Sequence, residues 1–168
     1  MTVNKIIKIV MIISVTVLFT NCPSTVTCVY LVNNSDENIY FNSNYHIFSI
    51  NDESHHYSGE KNIAFSGEFA QIVDLLMGGP VVSPDRATRE DYRQLVERDL
   101  KYKNREAVKF TYNEKGYILS TEDIVELIMT RSVFTSEGIP GFGYFINITD
   151  IVDYFDAGEP ELLEESIN

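Results

Sequence analysis

The feature that most constrains the fold of this 168-residue chain is a hairpin pattern at residues 107–120. Apolar residues alternate with polar ones in its first strand, at Val108, Phe110 and Tyr112. Residues 113–116 form the turn, where Gly116 is suited to a positive φ, and residues 117–119 supply the returning strand. Because so short a turn joins only antiparallel strands, we predict an α+β fold: antiparallel hairpins and about three helices in a single small domain, rather than a doubly wound parallel sheet.

A second hairpin is predicted near the start of the folded part. Residues 26–32 are rich in β-branched side chains, the turn formers 33–37 follow, and residues 38–42 have the pattern of a returning strand. We expect a third strand at 45–50 and a polar loop at 51–61.

Three helices are predicted, over residues 67–77, 89–102 and 122–131. The apolar residues of the first recur at helical spacing: Phe69, Ile72, Val73 and Leu76. Residues suited to cap the three helices precede them: Ser66, Thr88, and Ser120 or Thr121. Asp91 completes a capping-box pattern with Thr88, and Gly78 can end the first helix. Residues 150–155 form either a short helix or the end of a strand.

A basic and then apolar leader precedes these elements. Lys5 and Lys8 are followed by an apolar run from Ile9 to Phe19, which suits a signal peptide and is short for a membrane span. We therefore predict that residues 1–21 are a signal peptide and that the chain is exported. An N-terminal core helix or strand is the alternative.

The leader ends in Leu18-Phe19-Thr20-Asn21-Cys22, which resembles the lipobox of bacterial lipoprotein precursors. Phe19 stands where that box usually has Leu, and Asn21 where it has Gly or Ala. The resemblance implies that Cys22 becomes the first mature residue and carries lipid, which anchors the protein to a membrane of the cell envelope. Residues 22–27 are then a lipidated tether, 28–155 the α+β domain, and 156–168 an acidic tail that frays.

The second cysteine leaves two readings open. If Cys22 is acylated, Cys28 stays free; if the leader is cut elsewhere, the two could form a disulfide in a secreted chain. Cys28 lies in an apolar strand pattern, so we interpret it as a small buried residue rather than a nucleophile.

The chain is acidic, with a formal net charge of −12. Loss of the leader removes Lys5 and Lys8, which leaves 11 basic against 25 acidic residues. Such a charge repels nucleic acid, so we exclude nucleic acid as a partner. It serves solubility, and it also suits a basic protein partner.

Sites for catalysis, cofactors or metals are not predicted. His55 and His56 lie beside acidic residues, but they lack the spacing of a zinc site and fit a solvated loop. No nucleophile elbow, phosphate-binding loop or dinucleotide fingerprint is present. The sequons at Asn33 and Asn147 are expected to be accidental in a bacterial lipoprotein, and Asn147 falls on a predicted strand.

The remaining candidate is a glycine-rich loop before a predicted strand at 144–148. Its residues could grip a partner: Gly138, Gly141, Phe142, Gly143 and Tyr144. The structural alternative is a turn whose aromatic side chains fill the core.

We therefore predict a lipid-anchored binding or interaction module of the cell envelope, acting without catalysis. The alternatives are an acidic immunity or inhibitor-type protein that neutralises a basic toxin or enzyme, and, last, a secreted enzyme.

Overall fold

A computed structural model of the chain describes residues 27–51, 54–75, 87–135 and 142–157. The strands are β1 (Thr27–Val32), β2 (Ile39–Asn51), β3 (Ser54–Ala64), β4 (Glu68–Asp74), β5 (Val108–Tyr112), β6 (Lys115–Leu119), β7 (Val133–Thr135) and β8 (Phe142–Asn147). The helices are α1 (Arg89–Tyr102), α2 (Thr121–Thr130) and α3 (Ile148–Asp156).

The strands form one mixed, mostly antiparallel sheet that curls into a half-barrel. Its order is β6-β5-β2-β4-β1-β8-β7, and β3 pairs with β2 outside this path. Among the described strand pairs, β1 and β8 alone run parallel. The α+β prediction is confirmed.

Strand β2 produces the curl because its two halves pair with different neighbours. Residues 39–41 pair with β5, whereas 46–49 pair with β4. Between Tyr40 and Tyr45 the register against β3 shifts, so that four residues of β2 face one residue of β3. Such a bulge bends a strand and increases its twist.

The three helices pack on one face of the sheet and share its main core. Each contributes an apolar side: Tyr92, Val96 and Leu100 from α1, Ile124, Leu127 and Ile128 from α2, and Ile148, Ile151 and Phe155 from α3. Val29 and Leu31 of β1 point into the same core.

The other face of the sheet carries an aromatic cluster. Alternate residues of a strand point to opposite faces, so Tyr30 lies on this second face. Its ring stacks on Phe145 at 4.8 Å and meets Phe69 edge-on at 5.5 Å, and Phe48 stacks on Phe69 at 5.4 Å. Strands β1 and β4 are therefore apolar on both faces.

Three sequence-based expectations are wrong. Residues 67–77 do not form a helix, because 68–74 are strand β4. The polar residues 51–61 are largely strand β3 and not a loop. The segments 26–32 and 38–42 do not form a hairpin with each other, since β1 pairs with β4 and β8.

The local predictions around α1, α2 and the β5–β6 hairpin are confirmed. Thr88 and Ser120 cap α1 and α2, each within a complete capping box. In the hairpin turn, however, the positive φ values belong to Asn113 (49°) and Glu114 (62°), and not to Gly116.

Candidate functional site

An apolar cleft of about 340 Å³ opens between the helix layer and the β7–β8 edge of the sheet. Seven residues line it: Ala87, Tyr92, Ile128, Met129, Ser132, Phe134 and Tyr144. We call this the apolar cleft. Its surface is concave, and some of the apolar side chains that line it are exposed to solvent.

Two tyrosines from distant parts of the sequence form its floor. Tyr92 is held by the first turns of α1, and Tyr144 projects from β8 towards the helices. Their hydroxyl groups are hydrogen-bonded to each other, and their rings meet edge-on at 5.5 Å. The ring of Phe134 lies 5.1 Å from that of Tyr144 and forms one wall.

The rim of the cleft is apolar and open to solvent. Met129 is 48% exposed and Phe134 39%. Such adjacent exposed apolar residues are typical of surfaces that bind another molecule. Two hydroxyl groups below an apolar rim give a surface that can orient a partner as well as bury its apolar atoms.

The predicted glycine-rich loop is only partly covered by the structure. Gly138 and Gly141 lie outside the described residues, and Phe142 begins β8. Gly143 and Tyr144 point to opposite faces of the sheet, so they do not form one surface. Tyr144 lines the apolar cleft, but the role of the loop in binding stays a prediction.

Gly143 has a packing role. A Cβ atom there would lie 2.6 Å from Cε2 of Tyr30 and 3.1 Å from the carbonyl oxygen of Cys28. The ring of Tyr30 therefore lies directly over this backbone, which only glycine permits.

The sequence did not point to the cleft itself. Tyr92 falls within the predicted helix 89–102, whereas Met129 and Phe134 belong to no motif in the sequence. The available signal was the short apolar pair Val133-Phe134 between polar residues, and such a pair is common on protein surfaces.

A buried polar group lies at another end of the sheet. Asp99 of α1 has no solvent exposure, and Nζ of Lys103 lies 2.9 Å from its Oδ2 atom. Burial raises the pKa of Asp99, although the ammonium group of Lys103 partly opposes this. This pair is a structural ion pair at the end of α1.

Cys28 lies close to that pair and has the buried position that the sequence predicts. Its thiol is free, and burial raises its pKa to about 12. A thiol with so high a pKa is protonated at neutral pH and is a poor nucleophile. Cys22 lies outside the described residues, so its lipidation stays a prediction.

Of the three histidines, His46 has a side chain that the structure describes. His46 contacts the hydroxyl group of Tyr57 at 3.0 Å on the exposed side of the β2–β3 ribbon, and His55 and His56 lie in β3. Among the described residues, no three histidine, cysteine or acidic side chains converge.

Asn33 is unavailable to a glycosylating enzyme in the folded protein. Its side chain is fully buried and donates to the carbonyl groups of Glu37 and Ala64. Asn147 ends β8 at the N-cap position of α3, where its side-chain amide donates a hydrogen bond to Asp150 and not to the helix backbone. The asparagines of both sequons thus have structural positions, one buried after β1 and one at the junction of β8 and α3.

Within the described ranges, no helix has the length and apolar character that crossing a bilayer requires. Comparison with protein family models, curated proteins and solved structures finds no match to this chain.

Proposed function

We propose that this protein is a lipid-anchored interaction module of the bacterial cell envelope, which binds a partner through the apolar cleft and does not catalyse a reaction. The apolar cleft carries the binding part of the proposal. The basic, apolar and cysteine order of residues 1–22 carries the anchoring part.

The cleft suits protein recognition because its rim carries apolar side chains while its floor carries two hydroxyl groups. Aromatic residues and methionine are enriched where proteins bind one another. Here Phe134 and Met129 form the rim, and the hydroxyl groups of Tyr92 and Tyr144 form the floor. If a side chain of a partner entered the cleft, its apolar atoms would be buried against the rim. Its tip would reach the tyrosine hydroxyl groups of the floor, which can form hydrogen bonds.

Photo-crosslinking in the intact envelope tests the binding surface. A photoreactive phenylalanine analogue replaces Met129, and a matched analogue replaces Tyr40, which is equally exposed at 50% but lies on β2. We expect an adduct of defined mass from position 129 and not from position 40. Adding Phe134→Asp to the first variant should abolish the adduct. Equal labelling at both positions, or none, would refute binding at the cleft.

Lipidation is tested separately. Palmitate label should enter the native chain and be absent from Cys22→Ala. A disulfide between Cys22 and Cys28 in the purified protein would contradict the anchor, because an acylated sulfur cannot form one.

A further inference from the structure

One region of this acidic chain is basic. Five of its 13 lysines and arginines fall between residues 98 and 109, where only two acidic residues accompany them. We call these five residues the basic end: Arg98, Lys101, Lys103, Arg105 and Lys109. They lie on the last two turns of α1, on the connection that follows, and at the start of β5. In Arg98, the Nε and Nη2 atoms are shielded from solvent.

Arg105 is fixed at the bend of β2. Its guanidinium group lies 4.2 Å from the ring centroid of Tyr45, and it donates a hydrogen bond of 3.0 Å to the carbonyl oxygen of Asn44. Shallow grooves of about 330 and 450 Å³ flank it. The positive charge is thus held in place at the surface.

The two exposed lysines of the basic end are available for a ligand. Lys101 and Lys109 form no ion pair with any described residue. In contrast, Lys103 is paired with Asp99. Unpaired, exposed cations on a protein with an acidic surface are suited to bind an anion from outside the chain.

The basic end lies where the chain emerges towards its predicted anchor. Asp99 and its partner Lys103 lie near both Asp74 and Cys28, which pair with each other across β4 and β1. Lys103 is therefore close to the first residues of β1. The opposite end of β1 leads to a turn with exposed acidic residues, Asp36 and Glu37.

Covalent geometry limits how far this end can lie from the anchor. Cys28 is the sixth residue after Cys22, and an extended chain of that length spans at most about 20 Å. If the lipid on Cys22 holds that residue at the headgroups, the Cys28 end of the sheet stays within this distance of the membrane.

We propose that the basic end faces the membrane and binds the phosphate groups of anionic lipids, so that the protein is held in one orientation with its acidic surface and apolar cleft away from the bilayer. This inference rests on the proposed anchor at Cys22. The positive residues counter, at the membrane, the repulsion that the net charge would otherwise produce.

A single fluorescent reporter tests the orientation, because the chain has no tryptophan of its own. One variant carries Tyr102→Trp at the basic end, and a second carries Phe65→Trp at the β3–β4 turn; both native residues are exposed. The purified lipidated protein is reconstituted into vesicles of phosphatidylcholine, or of phosphatidylcholine mixed equally with phosphatidylglycerol. A headgroup spin label then quenches a tryptophan that is near the membrane.

We expect the Tyr102→Trp reporter to be quenched more strongly in the anionic vesicles, and the Phe65→Trp reporter to be unaffected by lipid charge. Lys101→Glu with Lys109→Glu should remove most of that difference, since each cation near an anionic surface changes binding several-fold. The control Lys115→Glu reverses an exposed charge at the start of β6, where Lys115 lies 3.8 Å from Asp156 and away from the basic end, and it should leave the difference intact.

Flotation of the same vesicles separates the two proposals. If the protein floats but its quenching is equal in both lipids, or is unaffected by the two lysine substitutions, the membrane-facing basic end is overturned. The anchor at Cys22 then remains in place. Protein that does not float, or a Cys22→Ala variant that floats as well as the native chain, would overturn the anchor and this inference with it.

Discussion

At the scale of single residues, Asp99 is an acidic side chain without solvent exposure. It is fully buried next to Lys103 and to the backbone of Asp74. A carboxylate in such a position is tolerated only because it is paired, and pairing offsets only part of the cost of burial.

This burial predicts how stability depends on pH. The pKa of Asp99 is higher in the folded protein than in the unfolded chain, where it is about 3.9. Binding of a proton to Asp99 therefore stabilises the fold. This stabilisation is fully present below the unfolded-state pKa and is lost as the pH rises through the folded-state pKa. Asp99→Asn cannot titrate. Its stability relative to the native protein should therefore increase from about pH 4 towards neutrality, as measured by urea unfolding at each pH.

Lys103→Met provides the control for this effect. Removing the ammonium group takes away the interaction that lowers the pKa of Asp99, so stability should fall more steeply with pH than in the native protein. Identical pH profiles for the native protein and both variants would contradict the assignment to Asp99.

Gly143 makes a second prediction at this scale. Gly143→Ala would place a methyl group against the ring of Tyr30, and overpacking of this kind costs about 1–3 kcal/mol. Gly116→Ala is the matched control, because a Cβ there meets nothing within 4 Å. Equal free energies of unfolding for the two variants would show that the ring moves aside at little cost.

At the scale of elements, the parts that depend on local signals were predictable. The bounds of α1 follow from its cap at Thr88 and its apolar stripe, and the β5–β6 hairpin follows from strict alternation around a turn. These patterns act within a few residues, so they do not depend on what the rest of the chain does.

The failures occur where tertiary packing sets the pattern. Strand β4 is buried on both faces, with Phe69 in the aromatic cluster and Ala70 and Ile72 in the main core. It therefore lacks the alternation of a half-exposed strand, and its apolar residues also fit a helix. Strand β3 is polar because it lies outside the main path of the sheet, with exposed residues such as Tyr57 and Glu60.

The candidate site was predictable only in part for the same reason. Tyr144 was singled out in the sequence beside the glycine-rich loop. Its partners Tyr92 and Phe134 come from α1 and β7, and their approach depends on how the helices cross the sheet. Local patterns contain no information about that crossing.

The hairpin turn gives a prediction at the element scale. Glu114 has a φ of 62°, and the left-handed region costs a residue with a side chain about 1–2 kcal/mol. Glu114→Gly also creates the Asn-Gly pair preferred in such turns, so it should stabilise the protein by about 1 kcal/mol in urea unfolding. Glu106→Gly, whose φ is not positive, should not stabilise; a gain from both would point to a charge effect instead.

At the scale of the whole molecule, charge is the dominant property. Residues 22–168 include 25 acidic and 11 basic residues, and five of the basic ones fall between residues 98 and 109. A high net charge of one sign opposes the compact state through self-repulsion.

Screening should therefore stabilise the protein. Charges interact over about 30 Å at 0.01 M salt but only about 10 Å at 0.1 M. We expect the melting temperature of the mature protein to rise between these two concentrations of sodium chloride. A fall in melting temperature on adding salt would mean that local ion pairs, such as those of Arg93 with Glu90 and Glu97, outweigh the overall repulsion.

The position of β1 between β4 and β8 has a consequence for how the protein is made. Val29 pairs with Val73 on one side and with Tyr144, more than one hundred residues later, on the other. The first strand of the domain thus gains its second neighbour only when nearly all of the chain has been synthesised, and contacts so distant in sequence form slowly. The sheet therefore cannot close around β1 until β8 has been made, whatever the earlier strands have formed by then.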